Sequence, residues 1–220
     1  MSDSGGRLEL PCAPDITTLT ILINKMAKDS YKLPEQSLPG IACSDRLSDI
    51  RDFRSLVDGL GIRTQNTRIE RYLQYLDSIV NEDESNESQI FKGLSDYPFD
   101  TPLDRQLYVA REVHELMWIL RGLNEHMPKG VEEKLNTIVN GRDFAALDGN
   151  SSSRNAQFEL RIASYFCQDG YHVDLSTDTD IIATKSNDAY FVECKRVASE
   201  NLFLRRAKEA QKQLILRLPK

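Results

Sequence analysis

The sequence lacks several features that would place a protein in a class at once. Its cysteines, Cys12, Cys43, Cys167 and Cys194, lie far apart without C-x-x-C spacing, which argues against a structural zinc site or a disulfide framework. No apolar run approaches ~18 residues, so neither a transmembrane helix nor a membrane partner is predicted. The first residues lack a basic stretch followed by an apolar one, as a secretory signal requires. These absences predict a cytoplasmic protein.

Histidine clusters and strong overall charge are also missing. The histidines show no ligand spacing, and "HELMW" has Trp118 where a zinc-binding H-E-x-x-H helix needs its second histidine. The net charge of -6 does not indicate a nucleic-acid partner for the chain as a whole. Residues 196–220, however, carry seven basic and two acidic side chains, a local balance that suits a phosphate backbone.

The hydrophobic pattern changes near residue 150. Helical spacing predicts helices over 15–31, around 46–58, over 67–82, from 101 to about 123 and near 130–140. In "TPLD" at 101–104, Thr101 can cap the helix, Pro102 lies in its first turn and Asp104 can reach back to the Thr101 amide. "LDGNSSSRN" is a linker by composition. The sequence therefore predicts a helical domain at 1–146 for partner binding or dimerisation, a linker at 147–153 and a second domain at 154–220.

The second domain contains both helical and strand patterns. Residues 154–168 predict a helix with an apolar stripe of Phe158, Ile162, Tyr165 and Phe166. Strands follow at 171–176, 180–186 and 189–196, with a tight turn at Asn187-Asp188, and a helix returns from Asn201 to about Leu216. The predicted fold class is α+β, with a helical domain followed by an α/β core of order helix-strand-strand-strand-helix.

"YFVECKR", residues 190–196, ends an apolar strand with an acid and a base. Glu193 and Lys195 point to the same face, because side chains alternate along a strand. A hairpin turning at 187–188 would set Asp180 opposite Lys195 and near Glu193. Glu159, beside the apolar stripe of the preceding helix, can reach the same edge. Close carboxylates repel unless a cation lies between them, so this edge predicts a site for Mg²⁺ or Mn²⁺.

These residues resemble the PD-(D/E)xK, or restriction-endonuclease-like, nuclease superfamily. Its pattern is an acid followed by E-x-K at the end of a strand, matched here by Asp180 and Glu193-Cys194-Lys195, with Glu159 as a further glutamate in the preceding helix. "LRRAKEAQKQL" is similar to the basic helix that follows. The resemblance covers about residues 154–216. Thr179 stands where a proline is common, which leaves Asp178 as a competing acid. Only "LILRL" remains for a fourth strand, which is minimal, absent or supplied by a partner.

The resemblance implies metal-assisted hydrolysis of phosphodiester bonds, expected in DNA. Asp180 and Glu193 would hold Mg²⁺ or Mn²⁺, with Glu159 and the Cys194 carbonyl as further contacts, and Lys195 would position the attacking water. The residues that would bind nucleic acid are Arg196, Arg205, Arg206, Lys208, Gln211 and Lys212. Three alternatives stay open: a solvent-facing Glu193–Lys195 pair without function, a non-catalytic scaffold or nucleic-acid-binding module, and an RNA-cleaving nuclease. A role in restriction, phage defence or repair is an analogy at the level of the fold.

Overall fold

The computed structural model describes residues 43–81, 87–91, 99, 101–148, 150–197 and 199–218. These residues belong to one compact unit. The predicted helix at 15–31 lies outside them. Within the described segments, no helix is long and apolar enough to cross a membrane.

The chain folds as an α+β protein that is mostly helical. The helices before the sheet are α1 (Cys43–Gly59), α2 (Arg68–Val80), α3 (Glu87–Ile90), α4 (Pro102–Glu125), α5 (Val131–Val139) and α6 (Ser152–Gln168). The strands are β1 (His172–Asp174), β2 (Ile181–Lys185) and β3 (Asp188–Val192), and α7 (Phe203–Arg217) follows them. The predicted order of a helix, three strands and a helix after residue 150 is confirmed.

The start of α4 shows how local sequence sets a helix boundary. The Thr101 hydroxyl accepts a hydrogen bond from the Asp104 amide at 3.2 Å, which confirms Thr101 as the cap. The Asp104 carboxylate accepts from the Thr101 hydroxyl at 2.7 Å, where the pattern predicted a bond from the Thr101 amide. Pro102 takes the first helical position, where a missing amide hydrogen costs no helical hydrogen bond.

The three strands form an antiparallel sheet in the order β1–β2–β3. Lys185 pairs with Asp188, so the tight turn between β2 and β3 consists of Ser186 and Asn187. Ser186 has a φ of 54°, the left-handed value that the first central position of a primed hairpin turn takes. The predicted turn at Asn187-Asp188 was therefore wrong by one residue, because Ser186 rather than Asp188 bears the turn conformation.

This register changes which charged residues are neighbours at the end of the sheet. Ile181 pairs with Val192, where β3 ends. Continuing the same register brings Asp180 beside Glu193, whereas the predicted register had set it opposite Lys195. Glu193 and Lys195 follow the strand instead of ending it, so they lie on irregular backbone.

α6 buries a different face from the one that its large side chains predict. Phe158 and Tyr165 of the predicted stripe are 36% and 48% exposed. The most buried positions are mainly small or polar, and they include Ser153, Ala156, Gln157, Leu160, Ala163, Ser164 and Cys167. Small side chains suit α6 because it packs against α4 and α5 and also against β1 and β2. Its aromatic side chains therefore remain nearer the surface.

α4 and α6 approach each other closely at Gly122 and Ser164. A Cβ atom on Gly122 would lie 2.5 Å from the Ser164 Cα and 2.7 Å from the Ser164 carbonyl oxygen. Both are backbone atoms, so a change of rotamer cannot relieve the overlap. The missing side chain at Gly122 thus permits the observed distance between the two helices.

A buried ionic network joins α2, α4 and α6. The guanidinium of Arg68, which is fully buried, donates to the Ile138 carbonyl at 2.8 Å and to the Gln157 side chain at 2.7 Å. Glu112 forms ion pairs with both Arg68 and Arg154. Because an unpaired buried charge is strongly destabilising, the shared carboxylate holds the start of α6 against the helices that precede it.

Residues of both predicted domains contribute to one hydrophobic core, which extends from Leu47 on α1 to Ala183 on β2. α6 lies within it and contacts helices on one side and strands on the other. The division into 1–146, 147–153 and 154–220 stays a prediction about the organisation of the sequence. In the structure, the described residues of the two parts share this core.

α7 packs differently from the other long helices. None of its residues is buried, and Leu204, Ile215 and Leu216 are exposed. The prediction of a possible short strand at "LILRL" is wrong, since α7 continues through this segment to Arg217. Among the described residues, the sheet therefore has no fourth strand.

Gly122→Ala should lower the free energy of unfolding by about 1–3 kcal/mol, because the added methyl group overlaps the backbone of α6. Gly59→Ala is the matched control, since a Cβ atom on that helical glycine meets nothing within 4 Å. It should raise the free energy of unfolding by up to about 1 kcal/mol. Urea denaturation measures both variants, and equal stabilities would contradict the close approach of α4 and α6.

Candidate functional site

A cleft of about 490 Å³ opens where α6, the start of β2, the segment after β3 and α7 meet. Its charged lining residues are Glu159, Asp180, Lys195, Arg196 and Arg206. All five were singled out from the sequence. The competing acid Asp178 is exposed and does not line this cleft.

Asp180 is held by the backbone that follows β3. Its carboxylate accepts a hydrogen bond from the Cys194 amide at 2.7 Å, and the Lys195 ammonium lies 3.8 Å from the same oxygen. The pairing of β2 with β3 explains both contacts, because it brings residues 193–195 alongside the residue that precedes β2. Asp180 remains partly exposed and faces the cleft.

Glu193 contacts two cations. Its side chain is fully buried, and one carboxylate oxygen lies 3.0 Å from the Lys195 ammonium. The other oxygen forms an ion pair with Arg217, at the end of α7. Lys195 therefore lies between the carboxylates of Asp180 and Glu193, but Glu193 itself does not line the cleft.

Sequence reasoning did not include Arg217 in the site. No motif links it to Glu193, and 24 residues separate the two. The available signal was helical phase, because Arg206, Gln213 and Arg217 recur on one side of α7. Extending the predicted helix by one residue, to include Arg217, would have added a cation to the side that carries Arg206.

Glu159 reaches the cleft from α6 and pairs with a lysine from α5. The Lys134 ammonium lies 2.5 Å from the Glu159 carboxylate, and the two side chains are 25% and 12% exposed. Burial raises the pKa of Glu159, Lys134 opposes this rise, and the Asp180 carboxylate adds to it. Glu159 and Asp180 thus repel each other, as two carboxylates around one prospective cation site do. Lys134 belongs to the segment in which the sequence suggested no chemistry.

The residues predicted to bind nucleic acid lie on two sides of α7 and in the segment before it. Arg196 and Arg206 line the cleft, and Lys212 borders an adjacent one together with Lys195. The predicted residues that line neither cleft are Arg205, Lys208 and Gln211, all of them exposed. A phosphate backbone lying along the cleft would therefore meet Arg196 and Arg206 first.

Cys194 contributes its backbone more than its thiol. Burial raises the pKa of the thiol to about 12, so the side chain stays protonated and is a poor metal ligand at neutral pH. The side chain packs partly against the core. The Cys194 carbonyl remains a predicted metal contact.

Within the described residues, no group of three or more His, Cys, Asp or Glu side chains is arranged to hold a metal ion. The types of donor nevertheless suit a hard cation, because Glu159 and Asp180 present carboxylates to one cleft. Glu193 does not line this cleft and pairs with Arg217. The three carboxylates are balanced by three cations, namely Lys134, Lys195 and Arg217. A divalent ion would replace part of this internal positive charge.

Lys134 and Glu159 should be energetically coupled. Lys134→Met and Glu159→Gln should each lower the free energy of unfolding, because each leaves a largely buried group without its partner. The double variant should lose at least about 1 kcal/mol less than the sum of the single losses. The exposed pair Arg54–Asp58 is the control, with an expected coupling of about 0.3–0.5 kcal/mol. Urea denaturation gives both cycles; equal couplings would show that Lys134 and Glu159 behave as a surface pair.

Comparisons with protein families, with curated proteins and with solved structures found no match for this chain. Any function of the cleft must therefore be inferred from its own residues.

Proposed function

We propose that the chain is a metal-dependent nuclease of the PD-(D/E)xK type, which hydrolyses phosphodiester bonds in DNA. One observation carries the proposal: the Lys195 ammonium contacts both Asp180 and Glu193, at 3.8 and 3.0 Å. Carboxylates that can hold a divalent ion, with an ammonium group beside them, are the groups that phosphodiester hydrolysis needs. The cleft next to them offers room for a phosphate and carries Arg196 and Arg206.

The proposal includes a restriction-endonuclease-like core made of α6, the three strands and α7. The order of these elements supports it, as does the packing of α6 against β1 and β2. β3 lies at the edge of the sheet. An edge strand can pair with a further strand from elsewhere in the chain or from a partner, which would complete the sheet.

In this proposal each side chain has a separate task. Glu159 and Asp180 would hold the ion in the cleft, and Glu193 would join them once Arg217 leaves it. When bound, Mg²⁺ or Mn²⁺ would supply Lewis-acid activation of the phosphate and of the attacking water. Lys195 would orient that water or stabilise the charge that develops on the phosphate.

Nucleic acid, and DNA before RNA, is the proposed partner, since the basic side chains of the cleft suit a phosphate backbone. A homodimer or a larger assembly formed through residues 1–146 is a further proposal. Cytoplasmic location is also proposed, and the described cysteines support it because Cys43, Cys167 and Cys194 form no disulfide.

A second candidate is a nucleic-acid-binding module without catalytic activity. The charge balance of the site favours it, because Glu159, Asp180 and Glu193 each already contact a cation of the protein. The carboxylates would then stabilise the walls of the cleft, and its arginines would bind phosphate. Metal-dependent cleavage distinguishes the two candidates.

The purified full chain should cleave DNA in Mg²⁺ or Mn²⁺, and EDTA should stop the reaction. Asp180→Asn and Lys195→Met should lower the rate at least about a hundredfold, since each removes a charge needed in the transition state. Both should fold, because Asn keeps an oxygen for the Cys194 amide and Met keeps the aliphatic stem. Lys185→Met is the control, since this exposed residue of β2 lies outside the cleft and should not affect the rate.

The cleavage assay should include single- and double-stranded DNA and RNA. If RNA is cleaved in preference to DNA, the proposed substrate is wrong but the proposed reaction, hydrolysis of phosphodiester bonds, stands. Cleavage that persists in EDTA, or full activity of Lys195→Met, would reject the proposed site. Metal-independent binding with no cleavage of any substrate would favour the second candidate.

Arg206→Ala combined with Lys212→Ala should weaken DNA binding and reduce the slope of log affinity against log salt by about one to two, because two phosphate contacts are lost. The pair Arg205→Ala and Lys208→Ala removes the same charge from side chains that line neither cleft, and its effect should be smaller. The measurement is a salt titration of DNA binding in Ca²⁺. A larger effect of the second pair would mean that DNA lies on the other side of α7.

A further inference from the structure

Arg217 forms an ion pair with the second carboxylate oxygen of Glu193. It reaches this oxygen from the last turn of α7 and remains partly exposed, whereas the Glu193 side chain is fully buried. The first oxygen lies 3.0 Å from Lys195. Cations of the protein therefore occupy both oxygens of a carboxylate that the proposed metal site needs.

The same ion pair ties the end of α7 to the site. None of the residues of α7 is buried, and Arg205 and Arg206 pair with Glu209 of their own helix. Arg206 and Lys212 border clefts together with Lys195. Whatever moves the end of α7 therefore also affects the basic side chains proposed to bind phosphate.

We infer that Arg217 stands in for the metal ion at Glu193, so that binding of a divalent cation and docking of the last turn of α7 exclude each other. The ion and the guanidinium would contact the same carboxylate, and two cations in contact with it would repel each other. Binding of the metal releases Arg217 and loosens the end of α7, and the docked Arg217 in turn lowers the affinity for the metal. This inference rests on the proposed function and adds regulation of the same site.

Titration of Mn²⁺ into the full chain by calorimetry, without nucleic acid, measures this competition. Arg217→Ala should bind Mn²⁺ at least about fivefold more tightly than the wild type, because the competing cation is gone. Arg205→Ala is the matched control, since it removes the same charge from an exposed position of the same helix. Its affinity for Mn²⁺ should stay within about twofold of the wild-type value. In a Glu193→Gln background, Arg217→Ala should give no gain.

Amide hydrogen exchange of the wild-type chain tests the same competition without any substitution at Arg217. Saturating Mn²⁺ should increase exchange in the last turns of α7, because the ion pair that holds them is broken. In Arg217→Ala these turns should exchange quickly without metal and change little when Mn²⁺ is added. A merely structural role for Arg217 predicts fast exchange in the variant but no response of the wild type to Mn²⁺.

Unchanged or weaker Mn²⁺ binding by Arg217→Ala would overturn the inference. So would hydrogen exchange in wild-type α7 that does not change when Mn²⁺ is added, or the absence of Mn²⁺ binding in both wild type and variant. The proposed function fails on different results. If Mn²⁺ and Arg217 compete as described but no nucleic acid is cleaved, the role of Arg217 stands and the proposed nuclease activity is rejected. If cleavage depends on metal but Arg217→Ala binds Mn²⁺ with unchanged affinity, the nuclease activity stands and the role of Arg217 is rejected.

Discussion

The close packing of α6 is the constraint on which the candidate site depends. α6 contacts α4, α5 and the sheet at once, and its approach to α4 needs a residue without a side chain at Gly122. Arg154 and Gln157, in its first turns, are held by the buried network around Glu112 and Arg68. These contacts set both the position and the rotation of α6. Glu159 faces the cleft and meets Lys134 because α6 is fixed in this way, so residues far from the D…E-x-K pattern determine the geometry of that pattern.

Charge balance is the second constraint, and it connects the fold to function. Carboxylates that approach one another must be neutralised, protonated or separated. Here Lys134 from α5, Lys195 from the segment after β3 and Arg217 from α7 neutralise them. Three elements of the fold therefore contribute cations to neighbouring carboxylates. In the proposed function, a metal would bind here by displacing one of these cations.

Local signals in the sequence predicted local structure well. The cap at Thr101, the strands after residue 170 and the meeting of Glu159, Asp180 and Lys195 at one cleft were all anticipated from short patterns. The errors arose where long-range packing decides. The large side chains of α6 suggested its buried face, but contact with helices and a sheet at once favours Ala163 and Ser164 instead. The residue types around Asn187 did not decide which two residues form the turn, and the error of one residue gave the wrong strand partner for Asp180. Lys134 comes from a helix that no motif connects to the site, and Arg217 lies one residue beyond the predicted end of the basic helix, so the tertiary structure is needed to identify both.

The proposed metal and the proposed nucleic acid would not bind independently of each other. Its three carboxylates already pair with three cations of the protein, and Arg196 and Arg206 add positive charge to the cleft, so an added divalent ion would leave more positive charge to be balanced. Release of Arg217 would free a further positive charge on α7, the helix whose Arg206 lines the cleft. A phosphate backbone bound along the cleft would supply negative charge. By thermodynamic linkage, a metal that strengthens binding of nucleic acid must itself be bound more tightly, by the same factor, when nucleic acid is present. The chain would then assemble its charged centre mainly when substrate is at hand and otherwise keep its carboxylates paired with its own cations.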